Sequence, residues 1–74
     1  MKGQIEAILA SPPEHDELVV QLFIRNGGQW GEIVRNGDSY MIEIFANVSL
    51  RLDADELAIS IRRAIDELKA RLEG

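Results

Sequence analysis

Hydrophobic and polar residues alternate along much of the first two-thirds of the chain, as they do in half-buried β-strands. β-branched and aromatic residues, which favour strands, reinforce this pattern. It predicts four strands, at 4–10 (QIEAILA), 18–25 (LVVQLFIR), 30–35 (WGEIVR) and from 40 onward (YMIEIF). Every even-numbered position from 40 to 52 is apolar. Either the fourth strand is therefore long and bent, or a short fifth strand occupies 48–52.

The tripeptide Arg-Asn-Gly occurs twice, at 25–27 and at 35–37. A phosphate-binding loop would place such glycines between a strand and the N-terminus of a helix, and neither copy precedes a helical pattern. Asn-Gly pairs tolerate the positive φ angles of tight hairpin turns. The repeat therefore predicts two turns of an antiparallel meander with strand order 1-2-3-4.

The last third of the chain has the spacing of an amphipathic helix. Asp53 is the expected N-cap, and Glu56, three residues later, completes a variant capping box. Apolar residues recur at steps of three and four and form one stripe. They are Leu57, Ile61, Ala64, Ile65, Leu68 and Leu72. The prediction is an α+β fold, a four-stranded antiparallel meander with one C-terminal helix packed on one face, forming a single domain over 1–74.

Side chains in a strand alternate between the two faces of the sheet. One face of the predicted sheet is almost wholly apolar, and the helix is expected to dock there: Leu18, Val20, Leu22, Ile24, Ile33, Tyr40, Ile42 and Ile44. The opposite face, called here the open face, mixes aromatic, aliphatic and charged residues. Because the sequence predicts one helix, we expect nothing else to cover this face, and exposed apolar surface of this kind marks interaction sites. The predicted interface residues are Val19, Phe23, Trp30, Val34, Met41 and Phe45.

Composition narrows the possible functions. The 74 residues contain no cysteine and one histidine, which excludes disulfides and thiolate metal sites. Eight basic and 13 acidic residues give a net charge of −5 without a basic cluster, so nucleic acid and anionic membranes are not expected partners. We find no signal peptide and no apolar stretch of membrane-spanning length, and expect a cytoplasmic protein.

The order of three strands followed by a helix resembles the latter part of double-stranded-RNA-binding domains. Those domains use a basic cluster at the start of the helix, whereas this chain has the residues DADE at 53–56. The resemblance therefore does not imply RNA binding, and no residue role is carried over from it.

Candidate chemistry is sparse. His15, Asp16 and Glu17 are adjacent in a loop that follows two prolines, and we interpret His15 as a solvated loop residue. Glu32 and Glu43 are expected to be neighbours on adjacent strands, where they are edge charges that limit aggregation or, less favoured, a carboxylate pair. We expect no catalytic residue, no metal and no cofactor.

The function expected from the sequence is therefore a non-catalytic protein-interaction module. It is expected to form a homodimer, or to bind another protein, through the open face, a strand edge or both. Two alternatives stay open at this point. The first is an acidic inhibitor or immunity-type protein that binds a basic partner, and the second is a small-ligand binder that uses Trp30 with Glu32 and Glu43.

Overall fold

The computed structural model describes residues 3–45 and 49–74. Four strands form one antiparallel sheet in the order β1-β2-β3-β4, and a helix follows them. The elements are β1 (Ile5–Ala10), β2 (Val19–Ile24), β3 (Gln29–Asn36), β4 (Ser39–Ile44) and α1 (Ala54–Leu72). This confirms the predicted α+β meander with one C-terminal helix. Residues 49–52 are not in a strand, and position 48 of the proposed fifth strand lies outside the described residues.

Both copies of the repeated tripeptide form turns. Asn26 has a positive φ of 60°, and Gly37 has a φ of 64°. Asn36 and Ser39 pair across the second turn, which leaves two residues in the loop with glycine first, as in a type II′ hairpin. The turn interpretation of the repeat is therefore confirmed.

The start of α1 is tied to the first strand. The Asp53 carboxylate accepts a hydrogen bond from the Glu56 backbone N–H at 2.8 Å, which confirms Asp53 as the N-cap. The reciprocal half of the expected capping box is wrong, because the Glu56 side chain accepts from the backbone N–H of Ile5 at 3.1 Å instead. The Asp53 backbone N–H donates to the side-chain oxygen of Gln4 at 3.3 Å. These bonds fix where the helix begins relative to β1.

The core lies between α1 and the sheet. Its buried members are Ile5, Val20, Leu22, Trp30, Ile33, Ala64 and Leu68, and the rest of the predicted helix stripe packs against them. The helix packs chiefly on β1, β2 and β3. The centres of four strands spaced about 4.8 Å apart span about 14 Å, which exceeds the roughly 10 Å diameter of one helix. The expectation that Ile42 and Ile44 lie beneath the helix is therefore wrong, and both are exposed.

A β-bulge changes the position of the single tryptophan. Leu22 pairs with Gly31 and Phe23 pairs with Gln29, so Trp30 is the extra residue of β3. Strict alternation would place Trp30 on the open face, but it is 4% exposed and belongs to the core cluster with Ala64 and Leu68. The predicted placement of Trp30 on the open face is wrong because the bulge interrupts the alternation.

Candidate functional site

The loop before β2 covers part of the open face. The Nε2 atom of His15 lies 2.9 Å from an Oε atom of Glu32, whose carboxylate is almost completely buried. Val19, the first residue of β2 after this loop, is fully buried. The interpretation of His15 as a solvated loop residue is therefore wrong, because it contacts Glu32. The expectation that only the helix covers the sheet is also wrong, because this loop covers part of the open face.

The six predicted interface residues divide into three groups. Val19 and Trp30 are buried within the chain and present no side-chain surface to a partner. Phe23 and Val34 are half-buried. Met41 and Phe45 are exposed. Val34 and Met41 are directly paired across β3 and β4, so the accessible part of the predicted interface lies toward the β4 side of the sheet.

Strand β4 and the residue that follows it, Phe45, expose apolar side chains on both faces of the sheet. Met41 and Phe45, on the open face, are 49% and 47% exposed. Ile42 and Ile44, on the helix side, are 38% and 62% exposed. We call these four residues the β4 surface. Sequence reasoning missed its helix-side half, although a comparison of the width of one helix with that of four strands would have indicated it.

The outer backbone edge of β4 is also unpaired among the described residues, since β4 bonds only to β3. The backbone N–H of Phe45 donates to the carbonyl of Trp30 at 3.0 Å. Hydrogen-bonded positions alternate along an antiparallel strand, so the backbone groups of Met41 and Glu43 also face β3. The N–H and C=O groups of Tyr40, Ile42 and Ile44 therefore point outward. The β4 surface thus flanks a free row of backbone donors and acceptors.

An ion pair, a hydrogen bond and a cation–π contact lie around the beginning of β4. The guanidinium of Arg35 donates to the Glu17 carboxylate, with Nε at 3.1 Å, and this hydrogen bond raises the pKa of Arg35 above its ordinary value. The Tyr40 hydroxyl donates to the carboxylate of Glu73 at the end of α1, which raises the pKa of Tyr40. The Lys69 ammonium lies 6.0 Å from the centroid of the Tyr40 ring. The last turn of the helix therefore reaches β4 only at the start of the strand.

The residues considered for ligand chemistry do not form one site. Glu32 and Glu43 are paired across β3 and β4, as predicted, on the open face. Trp30 belongs to the helix-side core, so it does not line a pocket with them. In residues 3–45 and 49–74 there is no group of three or more metal-ligating side chains placed to hold an ion. The sole helix of the described chain is not both long and apolar enough to cross a membrane.

Comparison with known proteins identifies no relative. No protein-family model matches the chain. Searches of curated proteins and of solved structures also give no significant match. The β4 surface and its backbone edge are the features of the described residues that indicate a function.

Proposed function

We propose that this chain is a non-catalytic protein-interaction module that self-associates through the outer edge of β4. The observation that carries the proposal is that a strand edge with no partner in residues 3–45 and 49–74 coincides with apolar side chains exposed on both faces of the sheet at that edge. Folded proteins usually protect such an edge with charges, prolines or a covering element. The described part of β4 has one charged residue, Glu43, and no proline.

The expected affinity is modest. Full burial of one such side chain is worth about 1.5–3 kcal/mol. The four side chains of the β4 surface are each about half exposed, so covering half of what they expose gives about 1.5–3 kcal/mol per protomer. Association itself costs roughly 4–15 kcal/mol, and edge hydrogen bonds add about 0.5–1.5 kcal/mol each. Because this cost is of the same size as the gain, only weak association is expected, and the range to search is a dissociation constant of about 1 μM to 1 mM.

The experiment is sedimentation equilibrium over about 10 μM to 1 mM, the range set by this affinity. The mass is expected to rise from 8.3 kDa toward twice that value as concentration increases. Ile42→Asp places a charge on the edge and is expected to hold the protein monomeric. Ile59→Asp, on the exposed side of α1 and away from β4, is the matched control and should dimerise like the wild type. A wild-type mass of 8.3 kDa throughout would refute self-association.

Binding of a different, basic protein at the same edge is the second candidate. The net charge of −5 and the exposed Glu43 favour it. It predicts a wild-type protein that stays monomeric alone but loses binding of a basic partner in the Ile42→Asp variant. For either candidate we propose a cytoplasmic location, as expected from the sequence.

A further inference from the structure

The backbone geometry of β4 restricts how a second copy can pair with it. We infer that two protomers join β4 to β4 antiparallel about a two-fold axis at Ile42, so that their sheets become one continuous sheet. This inference rests on the proposed function and adds the pairing register. Because residues with outward backbone groups must pair with each other, the register can change only in discrete steps.

The register centred on Ile42 satisfies the whole exposed edge. Ile42 faces its own copy, and Tyr40 faces Ile44 of the partner subunit on both sides of the axis. Each of these pairs exchanges two backbone hydrogen bonds. All of the paired side chains lie on the helix side and are apolar or aromatic, and such cross-strand pairs stabilise a sheet. On the open face Met41 faces Glu43 of the partner subunit, so no like charges oppose each other.

The neighbouring registers are less favourable for identifiable reasons. A two-fold axis at Glu43 would place that carboxylate directly opposite its own copy, and opposed like charges destabilise a strand pair. An axis at Met41 would pair Tyr40 with Ile42 of the partner subunit and leave the outward backbone groups of Ile44 without a partner. Ile44 is the most exposed residue of the β4 surface, so this register leaves the most exposed apolar side chain without an apolar partner across the interface.

Pairing β4 with β4 also closes the assembly. The outer edge of β1 is the other free edge of the described sheet. Pairing of β1 with β4 of the next copy would be head-to-tail and would leave both kinds of edge free at the ends, which leads to open filaments. The symmetric pairing consumes the apolar β4 edge of both copies. The inferred occupant of this edge is therefore a second copy of the chain, paired about a two-fold axis and not head-to-tail.

The chain has no cysteine, so single-cysteine variants report the register directly. A disulfide requires Cα atoms about 4.4–6.8 Å apart. A residue on the two-fold axis meets its own copy at about 4.5–5.5 Å. A residue one position off the axis is displaced by two residues along the strand, which puts the two Cα atoms about 8 Å apart. Met41→Cys, Ile42→Cys and Glu43→Cys therefore each report one register, and Glu43→Cys in addition removes the carboxylate that disfavours an axis at its own position.

The three variants are treated with diamide at a concentration at which wild type is dimeric, with the same treatment in urea as the reference for random collision. We expect Ile42→Cys to form the covalent dimer at least several-fold faster than the other two. Fastest cross-linking at Met41→Cys, or cross-linking of Ile42→Cys no faster than the urea reference, would overturn the register while the dimer stands. A wild type that remains monomeric by sedimentation would remove the proposed function and the register together. Emission from Trp30 verifies that each variant is folded.

Discussion

Docking of α1 on the sheet should account for most of the stability of the monomer, and Leu68 tests this. Leu68 is completely buried between α1 and the sheet, whereas Ile59 on the same helix is 52% exposed. Truncation of a buried leucine to alanine costs about 2–5 kcal/mol, because it removes apolar contact and leaves a cavity. A single core in a domain of this size supplies roughly 3–5 kcal/mol. Leu68→Ala should therefore remove most of the free energy of unfolding.

The assay is urea and thermal unfolding followed by far-UV circular dichroism, at concentrations low enough to keep the protein monomeric. A loss of 1 kcal/mol lowers the Tm of a domain this small by about 4–8 °C, so Leu68→Ala should lower it by at least about 10 °C. Ile59→Ala is the matched control and should change the free energy of unfolding by less than about 0.5 kcal/mol. If the two substitutions have equal effects, the helix is not docked as described.

Three further predictions concern separate features. Trp30, the only tryptophan, should be quenched by iodide far less in the folded protein than in urea, and equal quenching would place it outside the core. A Cβ atom at Gly31 would lie 2.9 Å from a backbone oxygen of β4, so Gly31→Ala should lower the free energy of unfolding in urea by about 1–3 kcal/mol. Gly28 has open space around it, so Gly28→Ala should leave the free energy of unfolding unchanged. Tyr40, the only tyrosine, should ionise above its ordinary pKa of 10.0 because it donates to Glu73, and Glu73→Gln should lower that pKa in a tyrosinate absorbance titration. Because the folded-state pKa of Tyr40 is raised, its hydrogen bond to Glu73 contributes its full stabilisation below pH 10, and this stabilisation is lost as pH rises through the folded-state pKa. An unchanged tyrosinate titration in Glu73→Gln would contradict the contact.

The features that the sequence predicted correctly depend on local rules. Alternation and the two Asn-Gly turns located the strands, because the strand period and the turn conformations are properties of short segments. The N-cap at Asp53 and the apolar stripe of α1 follow from helix geometry in the same way. These features required no knowledge of how distant segments meet.

The errors arose where distant segments meet or where a period is interrupted. The bulge at Trp30 inserts one residue into β3. The assignment of residues to the two faces of the sheet assumed strict alternation, which an inserted residue interrupts. The path of the loop that brings His15 to Glu32 has no periodic signal. The exposure of Ile42 and Ile44 follows from which strands the helix covers, and hydrogen bonds at Gln4 and Ile5 set that position. The alternation in the sequence therefore did not predict that Ile42 and Ile44, the helix-side half of the β4 surface, are exposed.

Amide hydrogen exchange measured by NMR reports directly whether the outer edge of β4 pairs with a second copy of the chain. In the monomer the amides of Met41 and Glu43, which bond to β3, should exchange slowly, while those of Tyr40, Ile42 and Ile44 exchange fast. As concentration rises toward about 1 mM, these three amides should become protected in step with the formation of dimer. If they exchange equally fast at every concentration while their neighbours stay protected, the β4 edge remains unpaired and the account is contradicted.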